Sequence, residues 1–353
     1  MIEASWKEIT FTPNFPLGTS KGVLTGRTAW FLSAWRRDRP DVRGTGEVAL
    51  FPGHSKEFPA DVRLKLLELC RNTTDWERRL KDDLVHVPGV RFAVEQCLRD
   101  LAAGGSKVLF PSEFTLGRRG IPINGLVWMG DKATMHQRIQ AQLAKGNRCL
   151  KMKIGAIGVE EEMDLLAEVR SQYGPDELTL RVDANGAFNF GNVMPVLERL
   201  AALHVESIEQ PLPPGLYETM AEVCAKSPLP IALDEDLIGL NTREAKLDLL
   251  EHVRPHFVVI KPSLVGGWAA AQEWIDLAQQ RSIGWWITSA LESNIGLNAI
   301  AQWTATLDVR RPQGLGTGLL YTDNIPSPLS LEGTELRYRP EREWDLDRIL
   351  AGK

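Results

Sequence analysis

Six charged residues recur at the ends of short apolar runs through the middle of this chain. Lys151 and Lys153 end CLKMK, Asp183 ends LTLRVD, Glu209 ends VESIE, Asp234 follows PIAL and Lys261 follows FVVI. Counted from Lys153, successive members lie 25–30 residues apart, about the length of one strand–helix unit. Neighbouring strands of a parallel sheet need a crossover of roughly a dozen or more residues, usually a helix. A charge at the end of a buried strand is costly unless it has a partner. Five consecutive strands ending this way, with both signs, therefore point to one shared site. In a closed β/α barrel the C-terminal strand ends converge on the face that carries catalytic residues.

The rest of the chain fits such a barrel. Apolar spacing predicts strands near 148–153, 178–183, 205–209, 230–234, 257–261, 284–289 and 312–316, with a first strand at 121–129. Between them, three-to-four spacing predicts helices at 131–145, 159–172, 189–202, 216–226, 242–252, 268–280 and 294–305. Helix 159–172 places Val159, Met163, Leu166 and Val169 on one stripe, and its acidic first turn suits a helix N-terminus. Upstream, 6–51 alternates in the manner of strands and 60–103 reads as helical. The tail after 325, with Pro326, Pro328 and Pro340, cannot form another strand–helix unit. The expected fold is α/β: a (β/α)7β barrel over 116–322, with an α+β cap built from 1–115 and a segment, 323–353, that returns to it.

Bulk properties narrow the function. The 353 residues are 43% hydrophobic and 25% charged, with a net charge of −5. That balance gives no basic field for nucleic acid, so no nucleic-acid partner is expected. No run approaches the roughly 18 apolar residues of a membrane span. The N-terminal stretch is charged and alternating, unlike a signal peptide. Cys70, Cys97, Cys149 and Cys224 contain no Cys-x-x-Cys pair, so they read as buried thiols in a reducing, cytoplasmic setting.

Asp183, Glu209 and Asp234 are three hard oxygen donors on successive strands, a set that suits Mg²⁺. Zinc is disfavoured, because no histidine stands at a strand end beside them. Taken singly, each is readable as a strand cap or a surface charge; the regular spacing favours a common site. Lys153 and Lys261 flank the carboxylates from opposite sides, as an acid/base pair would. Lys151 shares the inward face of its strand with Lys153, since side chains two apart point the same way.

The ordered set K-M-K (151–153), D-A-N (183–185), E-Q-P (209–211), D-E-D (234–236) and I-K-P (260–262) resembles the enolase superfamily, in its muconate-lactonizing-enzyme subgroup. The resemblance covers nearly the whole chain. It implies one Mg²⁺, with Mn²⁺ as a substitute, on Asp183, Glu209 and Asp234. It implies that Glu235 supports the ligands and that Asn185 lies near the metal. Lys153 would remove the proton α to a substrate carboxylate, and Lys261 would face it across the substrate. Family members often carry D-E-S where this chain has Asp236.

Within the subgroup the chain looks most like the o-succinylbenzoate synthases. That likeness implies Mg²⁺-dependent syn dehydration of 2-succinyl-6-hydroxy-2,4-cyclohexadiene-1-carboxylate to 2-succinylbenzoate, a step of menaquinone biosynthesis. It singles out Arg181, two residues before Asp183, together with Ser289 and Ser293 of TSALESNIGL and Gly316 of the GLGTG stretch, as substrate-binding or supporting groups. Lys21, in the Gly-rich loop 15–26, is expected to meet an anionic substrate. N-succinylamino acid racemases, dipeptide epimerases and muconate cycloisomerases share the scaffold and remain alternatives.

Overall fold

The computed structural model describes residues 1–19, 22–155, 157–318 and 320–350; the expectation for Lys21 lies outside them. The chain begins with β1 (Ile2–Phe11), the small hairpin of β2 (Leu17–Thr19) and β3 (Gly22–Leu24), then β4 (Arg27–Arg36) and β5 (Arg39–Val48). β1, β4 and β5 form an antiparallel sheet in that order. Helices α1 (Pro59–Arg71), α2 (Trp76–Arg79) and α3 (Pro88–Ala102) follow. Trp30, Leu32 and Val48 of the sheet pack with Val62, Leu66 and Leu69 of α1 and with Val90 and Ala93 of α3, making a core of their own.

The period then changes. β6 (Ile121–Pro122) and β7 (Gly125–Val127) lead to α4 (Lys132–Ala144), β8 (Cys149–Lys153), α5 (Val159–Gln172), β9 (Thr179–Asp183), α6 (Phe190–Ala202) and β10 (Ser207–Glu209). Next come α7 (Tyr217–Lys226), β11 (Ile231–Leu233), α8 (Arg243–Val253), β12 (Phe257–Ile260), α9 (Pro262–Val265), α10 (Gly267–Gln279), β13 (Gly284–Ile287) and α11 (Asn294–Thr304). Seven strands, β7 to β13, form one parallel sheet in chain order. Its interior and the surrounding helices share the largest apolar cluster.

Two expectations change in detail. The run 121–129 is not one barrel strand. Pro122 supplies no N–H, and β6 instead pairs antiparallel with Glu335 and Leu336 of the tail, so only β7 enters the sheet. The eighth strand shrinks to single bridges, Gln313 with Ile123 and Gly314 with Thr288. These still close the ring: Gly314 N–H donates to Ile287 O at 2.8 Å and Asn124 N–H to Gln313 O at 3.1 Å. The Gln313 side chain contributes too, its Oε1 accepting from Ile287 N–H at 2.7 Å.

The tail forms the hairpin β14 (Leu329–Glu332) and β15 (Glu335–Tyr338), then α12 (Asp347–Leu350). Ile349 packs in one apolar cluster with Phe11 and Phe31. No helix among the described residues is long and apolar enough to cross a membrane.

Buried cap carboxylates reach helix N-termini, where unpaired N–H groups and the helix dipole favour a negative charge. Glu95 of α3 accepts from Trp268 N–H of α10 at 2.7 Å. A Cβ on Gly267 would meet Glu95 Oε2 at 2.2 Å, and its φ is +89°, so only glycine fits. Within the cap, Glu57 accepts from Gly89 N–H at 2.9 Å and Val90 N–H at 3.3 Å at the start of α3.

Burial raises the Glu57 carboxyl from 4.5 to about 7, against the pull of those N–H groups. Between these values the native chain holds a proton that the unfolded chain has released, so this group's contribution to stability falls as pH rises through the window. Glu57→Gln has no such titration. Its stability relative to wild type is expected to improve by up to about 3 kcal/mol between pH 4.5 and 8, read by chemical denaturation. A difference constant with pH would mean that Glu57 ionises normally.

Candidate active site

The parallel register sets the predicted charges side by side at the strand ends. Lys153 of β8 pairs with Asp183 of β9, and Asp183 with Glu209 of β10. Asp234 follows β11 and Lys261 follows β12. Asp183, Glu209 and Asp234 are almost wholly buried, and lysines neutralise them. Lys151 Nζ lies 2.9 Å from Asp183 Oδ2 and 2.6 Å from Glu209 Oε2. Lys153 Nζ donates to Asp183 Oδ2 at 2.9 Å and to Asn185 Oδ1 at 2.6 Å. Lys261 Nζ donates to Asp234 Oδ2. Glu235 joins through Asn185 Nδ2, 2.9 Å from its Oε1, while His54 Nδ1 from the cap stands 3.5 Å from the same oxygen.

The balance of burial and charge sorts these groups. Burial opposes the Lys151 charge, but Asp183 and Glu209 outweigh it and hold the ammonium well above its ordinary range. Burial opposes the Lys261 charge too, and Asp234 overcomes it. Asp183 lies far below the usual carboxylate range, since Lys151 and Lys153 overcome its burial. Glu209 is pushed up to about 8, first by burial and then by the Asp183 charge. Burial likewise raises Asp234 and Glu235. The four carboxyls share this floor with three lysines, and burial favours the neutral form of Glu209, Asp234 and Glu235.

Among the described residues, no three His, Cys, Asp or Glu side chains converge closely enough to hold an ion as they stand. The carboxylates turn towards lysines instead. Their chemistry nevertheless fits Mg²⁺, a hard cation that prefers carboxylate oxygens. Glu209 Oε1 and Asp234 Oδ1 are buried acceptors without a hydrogen-bond partner, a costly state that a cation would relieve.

Above this cluster lies an enclosed pocket of about 70 Å³, lined by Lys151, Lys153, Asp183, Asn185 and Lys261. Ser289 and Gly316 also line it; Ser289 Oγ lies 2.7 Å from Thr317 Oγ1.

Two predicted substrate groups belong elsewhere. Arg181 does not line the pocket. It donates to Glu206 Oε2 at 2.6 Å and Pro312 O at 3.0 Å, and stacks 4.6 Å from the Trp286 ring centroid. Alternation along a strand gives a side chain's face and not its depth. Two residues at roughly 3.3 Å each set it one layer further into the barrel. Ser293 caps α11, its hydroxyl accepting from Ile295 N–H, and faces the cap instead of the pocket. Asp236, the departure from the family motif, accepts from Gln210 Nε2 at 2.8 Å and Gly215 N–H at 2.7 Å, and so braces the loop behind Asp234.

The pocket also holds residues that sequence reasoning did not single out: Phe51 and His54 after β5, Asn124 and Trp128 around β7, and Thr288 after β13. Asn124 and Trp128 fall within the predicted first strand, but a lone histidine in a cap loop carries no periodic signal.

Comparison with known proteins agrees with this geometry. A family model described as Enolase C-terminal domain-like matches residues 134–338. The o-succinylbenzoate synthase of Desulfotalea psychrophila is 44% identical, over 94% of this chain and 98% of the relative. The solved structure of MenC from Desulfotalea psychrophila LSv54 superposes with a TM-score of 0.83 at 39% identity, covering 95% of this chain and 99% of that one. Muconate lactonizing enzyme from Pseudomonas fluorescens, 21% identical, has a TM-score of 0.83 over 98% of this chain and 97% of its own, a likeness of fold.

Lys151→Met removes the group that bridges Asp183 and Glu209 and leaves buried carboxylates short of a counter-charge. Loss of one partner of a buried ion pair costs about 3–5 kcal/mol. Denaturation midpoints should show a loss of that order near pH 7.5. An unchanged midpoint would mean that Lys151 is not the counter-ion of this cluster.

Proposed function

This chain belongs to the enolase superfamily, and from that premise we propose that it acts as an o-succinylbenzoate synthase. It converts 2-succinyl-6-hydroxy-2,4-cyclohexadiene-1-carboxylate to 2-succinylbenzoate and water. The observation that carries the reading is the pair Lys153 and Lys261, on opposite sides of one enclosed pocket whose floor is a buried carboxylate cluster.

In its neutral form Lys153 Nζ leaves Asp183, turns to the ring and takes the proton α to the carboxylate. The electron pair moves into an enolate. The ring hydroxyl then leaves from the same face, and Lys153 returns the proton to it as water forms. The ring becomes aromatic, which drives the second step. Lys261, already 5.9 Å from the Phe51 ring centroid, stands opposite as a cation towards the ring face. Asp183, Glu209 and Asp234 would hold Mg²⁺, which supplies positive charge where the substrate carboxylate gains negative charge. Asn185 steadies Lys153 and Glu235, and Ser289 and Gly316 shape the wall that meets the succinyl arm.

We read 1–115 as the cap, 116–322 as the catalytic barrel and 323–353 as the segment that returns to the cap. The four cysteines are unpaired, which suits the cytoplasm.

Ultraviolet-monitored turnover of the cyclohexadiene substrate, with Mg²⁺ and with EDTA, tests the reading. Mg²⁺-dependent formation of the aromatic product is expected. Lys153→Ala and Lys261→Ala should each lose at least about 100-fold in kcat while remaining folded by circular dichroism and keeping their Mg²⁺ titration. Asp183→Asn should weaken Mg²⁺ binding by calorimetry. Undiminished turnover by Lys153→Ala would remove it as the base. Folded wild-type protein that instead exchanges the α-proton of N-succinylamino acids in D₂O, without dehydrating the ring compound, would be a racemase.

A further inference from the structure

The pocket wall at 288–291 is held from behind by groups that the chemistry above does not use. Leu291 lines the pocket at φ +63°, a region that a leucine rarely adopts. Such a conformation persists when its surroundings over-determine it. Tyr321 Oη donates to Leu291 O at 2.7 Å, Arg27 Nη2 donates to Ala290 O at 2.9 Å, and Ala290 N–H donates to Glu292 Oε2 at 2.8 Å.

The wall runs directly into α11, and there the cap takes hold. Glu47 of β5 is 1% exposed. Its Oε1 accepts from Ser293 N–H at 2.9 Å, and its Oε2 accepts from Ser293 Oγ at 2.6 Å and Gly296 N–H at 2.8 Å. Gln96 of α3 clasps both the N–H and the C=O of Glu47, each at 3.2 Å. A Cβ on Gly296 would lie 3.0 Å from Glu47 Oε2, so this glycine leaves room for the carboxylate. Glu47 does not line the pocket. It is tied instead to the helix whose first turn continues the wall, by the three hydrogen bonds its carboxyl accepts.

We propose that Glu47 is a positioning residue, a cap carboxylate that fixes the N-terminus of α11 and thereby holds the wall 288–291 in its substrate-binding shape. The proposal rests on the reading of this pocket as the active site. The wall differs from the strand ends that carry Lys153 and Lys261, so disturbing it acts on substrate binding before proton transfer.

Glu47→Gln keeps the shape but turns an amide NH₂ towards N–H donors. The expected result is a KM raised at least about tenfold, with kcat within about threefold of wild type. Ser293→Ala, which removes one of the three donors, should raise KM by less. Glu273→Gln, which breaks the 2.7 Å pair with Lys246 between α10 and α8, should lower the melting temperature without moving KM. Hydrogen exchange, which needs no substrate, should show faster exchange at 288–296 in Glu47→Gln. A folded Glu47→Gln with wild-type KM and unchanged protection at 288–296 overturns the proposal. If that variant does not fold, an unchanged KM and unchanged protection in Ser293→Ala do so. Wild-type protein that fails to turn over the ring compound counts against the function above, while the exchange experiment still decides the role of Glu47.

Discussion

The interaction on which the rest depends is the lattice of lysines and carboxylates buried at the strand ends. Charges there survive burial only if each finds a partner, and the partners come from different strands. Lys151 bridges Asp183 and Glu209 across three strands, and Lys261 reaches back to Asp234. A slip of one residue in any strand would turn its charge to the opposite face and strand its neighbours. Register, ring closure and the outer layer of helices are thus tied to one electrostatic requirement. Gln210 shows how tightly the support is built: its Oε1 accepts from Asp234 N–H while its Nε2 donates to Asp236.

A second constraint joins the cap to the barrel. Glu95 and Glu47 reach from the cap to the first turns of α10 and α11, places where buried N–H groups need acceptors. Gly267 and Gly296 stand where a side chain would collide with those carboxylates. The cap therefore does more than cover the mouth. Phe51 and His54 line the pocket, and Glu47 is joined to the segment that forms its far wall. One small domain thus touches the site twice, once at its lining and once from behind.

The carboxylates and lysines of the floor are legible because their spacing is periodic, and the period has a structural cause in the strand–helix unit. Arg181 was misplaced because alternation along a strand reports which face a side chain takes and says nothing of how deep it lies. Ser293 was misplaced because a serine before a helix serves equally as a ligand group or as a cap, and Glu47, 246 residues away, decided the matter. His54 left no trace, since a single residue in a loop has neither period nor pairing partner in the linear chain.

Composition, apolar spacing and the ordered charged motifs by themselves determined the barrel, its strand order and the identity of the charged floor, because each is a local or periodic property of the chain. Only the tertiary structure decided which lysine neutralises which carboxylate, how little of the first and last barrel strands is regular, and which cap residues meet the pocket. Those outcomes rest on contacts between residues far apart in sequence, where burial, distance and the supply of hydrogen-bond donors choose among partners that are chemically equivalent in one dimension.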